Sequence, residues 1–219
     1  MKKVIALLVA MSTTAVYAGV DYASAYVFRG FTESPNASIQ PSMDTEILGL
    51  EVGAWANYDT DGGEITEVDF AVGYDVTTVY GVDVAVGVCE YTYNGTLESD
   101  TEASLYLDYS VAGIDLSASL NKVMDGTLPD FTILGASYGF DITAGVAGSI
   151  SYETADLDDD ISGVDGEAYS AVTISAETSL TDALDVGVAY TSLNKGDTAS
   201  NRVTGEDDVF VVSISGDLF

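Results

Sequence analysis

Carboxylates spaced two residues apart are the commonest reactive pattern in this chain. Asp44 and Glu46, and Glu67 and Asp69, show it, with Asp83, Asp108 and Asp115 standing singly further on. In total 36 Asp and Glu stand against 6 Lys and Arg, a formal net charge of −30. Such groups can bind metal, move protons or draw in cations. Proton-transfer chemistry is poorly served, because the chain has no His and no carboxylate pair stands apart from the rest. The expectation is therefore no enzyme and no cofactor. Asp156, Asp158, Asp160 and Glu167 have the spacing of a calcium loop, but Ile161 stands where the sharp turn needs Gly. A solvated acidic loop and no metal site is the expectation there. Cys89, the single cysteine, has no cation near it in sequence to activate it, so a small filler is expected. Arg29 is the odd residue: a guanidinium whose planar fork suits carboxylates, set among so many of them.

These groups must be carried by strands. Side chains in a strand alternate faces, and segment after segment alternates apolar with acidic or small. Turn signals recur every 8–14 residues, and about twelve antiparallel strands follow. The expected strands are 20–32, 38–47, 50–58, 64–76, 82–94, 101–112, 114–123, 130–140, 141–154, 167–178, 184–193 and 207–219. Short turns fall near Gly49, Gly113 and Gly139, with longer connections at 155–166 and 195–206. On one face lie residues such as Val68, Phe70, Val72 and Tyr74; on the other lie Asp44, Glu46, Glu51, Glu67, Asp69, Asp83, Glu102, Asp108 and Asp115. Asp21, Asp141, Glu153, Glu167, Glu177 and Asp185 extend the acidic face. Arg29, on the first expected strand, projects into that set. Pro41 predicts a bulge or late pairing. Glu90 falls among apolar positions, which places it at headgroup level or demands a bulge before Tyr91 and Tyr93. Phe219 is out of phase with Phe210, Val212 and Ile214, which calls for a bulge near Gly216 or a degenerate terminal signal.

Residues 1–18 begin with Lys2 and Lys3, continue apolar, and close on Ala18, the pattern of a cleaved secretory signal peptide. The expected domain is thus 19–219, a single unit. Nucleic acid is excluded as a partner, since phosphate recognition needs clustered Lys and Arg. A sheet with one oily face on nearly every strand, and tyrosines near strand ends, fits a spanning barrel. An acidic soluble sandwich would alternate too, without needing either feature.

Tyr26-Val27-Phe28-Arg29-Gly30-Phe31, following a signal peptide, resembles the opening of the TorF-family porins of proteobacterial outer membranes. Gln40–Met43, Gly53–Asn57, Glu67–Tyr74 and Glu90–Gly95 are similar as well, and the likeness thins after about Asn121. The resemblance implies an outer-membrane barrel with a transport role, and it carries over no catalytic residue. The expectation is an all-β, antiparallel up-and-down transmembrane β-barrel in the cell outer membrane. It would pass small solutes, cations preferred, with Arg29 and the nine carboxylates named above lining the pore. Its partners would be outer-membrane lipid and lipopolysaccharide, the barrel-assembly machinery during biogenesis, and small solutes or cations. The alternative is a closed barrel that binds a small ligand or ions, or serves the envelope structurally.

Overall fold

The computed structural model describes residues 16–29, 31–94, 99–159, 164–181, 183–195 and 208–217. Fourteen strands run β1 (Val16–Ala23), β2 (Tyr26–Phe28), β3 (Phe31–Ser34), β4 (Ser38–Ile47), β5 (Leu50–Asp59), β6 (Glu64–Val79) and β7 (Val82–Tyr93). The series continues with β8 (Ser99–Val111), β9 (Ile114–Asp125), β10 (Asp130–Thr143), β11 (Val146–Asp159), β12 (Val164–Thr181), β13 (Leu184–Lys195) and β14 (Asp208–Asp217). Twelve of them, β1 and β4 to β14, close into one antiparallel barrel; β2 and β3 pair only with each other. All-β alternation therefore produces the expected closed wall. Closure leaves no exposed sheet edge.

The two ends of the barrel differ. At one end the strands are joined by two residues each, at 48–49, 80–81, 112–113 and 144–145. Leu48, Tyr80 and Ala112 have φ of 56°, 52° and 52°, and each is followed by a glycine with positive φ. Left-handed backbone at both central residues is the turn whose twist matches paired strands. Longer connections occupy the other end, including the β2–β3 insertion between β1 and β4.

Cross-strand register fixes the faces. Tyr74, Val86, Leu105 and Leu120 form one row, and Leu134, Ala118, Leu107 and Val84 another. Side chains such as Phe70, Leu120, Leu134 and Ile174 lie exposed on the outside of the wall. The opposite row, Asp69 with Trp55 and Tyr91, looks inward.

Several local expectations need correction. The first barrel strand is Val16–Ala23, not 20–32; Tyr26–Phe28 and Phe31–Ser34 leave the wall. The cause is that aromatic alternation serves a buried hairpin as well as it serves a stave. Pro41 causes no bulge, but the β4–β5 ladder skips Gln40 and Pro41 between the Ile39–Tyr58 and Ser42–Trp55 pairs, which keep one register; on the β1 side Pro41 sits opposite Val20. Nor does the chain turn at Gly139, which pairs with Ser149 inside β10. The turn comes at 144–145, where Gly145 has φ 83°. Glu90 pairs with Phe70 and Thr101 with no bulge before Tyr91. It lies on the outer face, and Tyr91 points inward. The ladder runs regularly through Gly216 on both sides; Phe219 lies outside the described residues. Asp156 and Asp158 are ladder residues between β10 and β12, so they cannot wrap a cation as a loop; Asp160 lies outside the described residues.

Candidate functional site

The β2–β3 hairpin touches Trp55 of β5, Glu67 of β6, Tyr91 of β7, Glu102 of β8 and Phe131 of β10. Strands that far apart around a closed wall share only its inside, so the hairpin is folded into the lumen. Ser24, just after β1, ties its entry: its N–H donates to the Val212 carbonyl at 3.0 Å, and Val212 N–H donates to its hydroxyl at 3.0 Å. Its exit is tied at the rim. There Asp59 accepts from the Ser34 hydroxyl at 2.9 Å, Asn36 Nδ2 at 3.2 Å, and the Asp61 and Gly62 amides at 2.8 and 2.9 Å. Those donors, the Gly62 amide first, hold the Asp59 carboxyl down at about 2.

At the hairpin tip stands Arg29, left-handed with φ 47°. Its Nη1 and Nη2 donate to Glu102 Oε2 and Oε1 at 2.8 and 2.6 Å. Glu102 is 1% exposed and Arg29 11%. The Tyr91 hydroxyl donates to the same Oε1 at 3.2 Å, and the Ser104 hydroxyl lies 3.3 Å from it. Phe28 and Phe131 hold their ring centroids 4.8 and 5.0 Å from the guanidinium carbon, close enough for cation–π attraction. On the hairpin's other flank the Tyr26 hydroxyl donates to Glu67 Oε2 at 2.8 Å, and its ring lies 5.3 Å from that of Trp55.

At this level every barrel strand contributes a buried inward side chain. The ring runs Ala23, Ser38, Asn57, Glu67, Tyr91, Glu102, Asn121, Phe131, Ala155, Tyr169, Leu193 and Val209. Its β10–β13 side is a hydrophobic cluster that includes Leu157, Ala168 and Ala171. The hairpin and this cluster therefore make a dry layer across the long-loop half of the lumen. Toward the short-turn end the inner wall is wet: Asp44, Glu46, Glu51, Asp83, Asp108 and Asp115 are all exposed. Small residues keep this vestibule wide, with Gly53, Ala71, Gly73 and Gly87 beside Asp44, Glu46, Glu51, Cys89 and Tyr106 around a cavity of about 450 Å³.

The ten residues expected at the pore thus fall into two groups. Arg29, Glu67 and Glu102 sit in the dry layer, with Asp69 next to Glu67 on the inner face; of the remaining six, Asp44, Glu46 and Glu51 line the vestibule and Asp83, Asp108 and Asp115 lie exposed on the inner wall toward the same end. Asp69 Oδ1 is buried and has no hydrogen-bond partner. Glu167 was expected inward, but one extra residue in β12 puts it opposite Asp156, on the outer face. Lys122 is on that face too, paired with Asp130. Sequence reasoning missed Tyr91 and Phe131 as interior partners of the hairpin, and Tyr169 as a member of the buried ring. The signal was present in β7: an unbroken alternation from Val82 puts Tyr91 with the carboxylates.

A family model described as a bacterial protein of unknown function, Gcw_chp, matches residues 9–216. The chain belongs to the Gcw_chp family. No curated protein matches it in sequence. Among solved structures, the KdgM porin has a TM-score of 0.60, with 94% of this chain and 100% of that chain covered at 5% identity. The NanC porin has a TM-score of 0.57, with 93% and 100% covered at 9% identity. At such identities the likeness is one of fold: this Gcw_chp chain shares the closed antiparallel wall of those porins.

Proposed function

We propose that this Gcw_chp protein is a porin-like channel of the outer membrane, of the TorF kind, that passes small solutes with a preference for cations. The observation that carries this reading is the vestibule. Asp44, Glu46 and Glu51 line it and Asp83, Asp108 and Asp115 lie exposed on the same wet half of the inner wall, while the guanidinium of Arg29 is already paired with Glu102. A negative mouth bounded by a low-dielectric wall concentrates cations. The outward rows of Val, Leu, Tyr and Phe suit lipid. Short turns on one side and longer connections on the other suit a periplasmic vestibule and an outward-facing hairpin end. Residues 1–18 would act as the export signal, and the assembly machinery would insert the barrel. Glu90, Lys122, Asp130 and Glu167 on the outer face would then meet lipopolysaccharide.

The dry layer favours a second reading, a closed barrel, unless the hairpin moves. Planar-bilayer recordings in a KCl gradient separate the two, with the native chain compared to a variant in which residues 25–36 are replaced by a short turn. The expected result is a reversal potential of cationic sign and higher conductance in the shortened chain. Anion selectivity, or silence in both proteins, would overturn the channel reading.

A further inference from the structure

Glu102 is built as a receptor for a planar cation, and the chain fills it from within. Both its oxygens face the two terminal nitrogens of one guanidinium. Tyr91 and Ser104 fix the carboxylate, and Phe131 supplies a ring beneath the cation. All four of these groups belong to the barrel wall. The guanidinium instead comes from a hairpin that forms no ladder with the wall, so it can withdraw without unzipping a barrel strand.

We propose that the Glu102 pocket is a guanidinium-binding site and that Arg29 is its tethered occupant. A solute carrying a guanidinium or amidinium group takes the same place once Arg29 leaves. A bidentate fork over an aromatic face favours such planar ions over ammonium, which is a point charge with no fixed plane. Tethering gives Arg29 an effective concentration in the millimolar range or above, so a free competitor is felt chiefly when Arg29 is gone. That guanidinium-bearing solutes are cargo rests on the channel reading; the pocket itself does not.

The test uses Cys89, the single thiol, whose Cα partner across the β7–β8 ladder is Glu102. Its alkylation by N-ethylmaleimide is timed in the full chain folded in detergent micelles, with folding checked by heat-modifiable gel mobility. Arg29→Ala should label roughly tenfold faster than wild type, because a buried ion pair stripped of one partner opens locally. Non-denaturing guanidinium chloride at millimolar concentration should restore the slow rate in Arg29→Ala and leave wild type unchanged. Equal KCl or tetramethylammonium chloride should restore nothing. Arg29→Lys, which keeps the charge and loses the fork, should label at an intermediate rate and also slow on adding guanidinium; it carries the comparison if Arg29→Ala does not fold. Labelling of the variants at the wild-type rate, or slowing by KCl as strong as by guanidinium, would overturn the proposal. Conduction plays no part in these readouts. A silent bilayer therefore sinks the channel and leaves the pocket standing, whereas a failed rescue does the reverse.

Discussion

Glu102→Ala is the sharpest probe of how the hairpin is held. The substitution leaves the Arg29 guanidinium, 11% exposed in the native chain, without its counter-charge in the dry layer. Removing one partner of a buried ion pair costs roughly 3–5 kcal/mol. Arg29 can escape that cost by leaving the pocket, since nothing but the hairpin needs to move. At about 1.4 kcal/mol per decade, the docked-to-undocked ratio should fall by a factor between roughly 10² and several thousand. Trp55, the single tryptophan, reports the change, because its ring lies 5.3 Å from that of Tyr26 on the hairpin. Its emission should shift to the red and become more open to iodide quenching. Glu102→Gln, similar in shape and without charge, should shift emission in the same direction by less. A double-mutant cycle with Arg29→Ala should give a coupling of at least ~1 kcal/mol. If Glu102→Ala leaves Trp55 emission and quenching as in wild type, or the two substitutions add without coupling, the pair does not hold the hairpin and the reasoning fails.

Three further outcomes follow from other parts of the molecule. Leu105→Arg, in the middle of an outward row, should cost roughly 2–4 kcal/mol in urea unfolding from lipid, while Ser117→Arg on the inner wall should cost far less; equal costs would mean the faces are reversed. Gly126 has φ 124°, and a Cβ there would stand 1.8 Å from Asp100 Oδ1, the atom that accepts from the Thr127 and Leu128 amides. Gly126→Ala should therefore cost about 2–4 kcal/mol by combined backbone strain and a lost buried acceptor, read as an earlier urea midpoint, and a midpoint unchanged from wild type would contradict it. Asp59, held at about 2 against an ordinary value of 3.8, should keep its rim latch well below the pH at which a free aspartate protonates. Its lowered value means the stabilisation is present above 3.8 and is lost as pH falls through about 2. The Gly62 amide shift, followed by NMR, should titrate near the lower value; a midpoint near 4 would refute the assignment.

The wall was readable in the chain because its physics is local. Alternation from Leu105 to Val111, or from Ile114 to Leu120, reports a sheet with one oily side wherever it occurs, and Gly49, Gly81 and Gly113 mark turns that need positive φ. The interior was not readable in the same way. Tyr22, Tyr26 and Phe28 continue one alternation, yet only Tyr22 faces outward, because a ring satisfied by lipid is also satisfied against Trp55 or Tyr91. Arg29 lies inside the barrel on a hairpin tip, where the alternation of a first strand expected it on a stave. Glu102 as its partner depends on a contact 73 residues away in the chain, which no local pattern encodes. Glu167 went astray for a smaller reason: one inserted residue reverses parity, and Ala168 gives no sign of it in the sequence.

The seam where the chain meets itself has a bearing on how the molecule is put together. β1 joins β14 through five residue pairs, Gly19 to Ala23, and Ser24 prolongs that join by bonding to Val212. The plug thus emerges straight from the last join to be made, next to residues almost two hundred positions distant. During biogenesis an early-made segment has to wait for the final strand before its own anchorage is complete. A chain arrested before β14 would carry its hairpin on an unfastened edge, so fastening the cylinder and seating its stopper become one event in time.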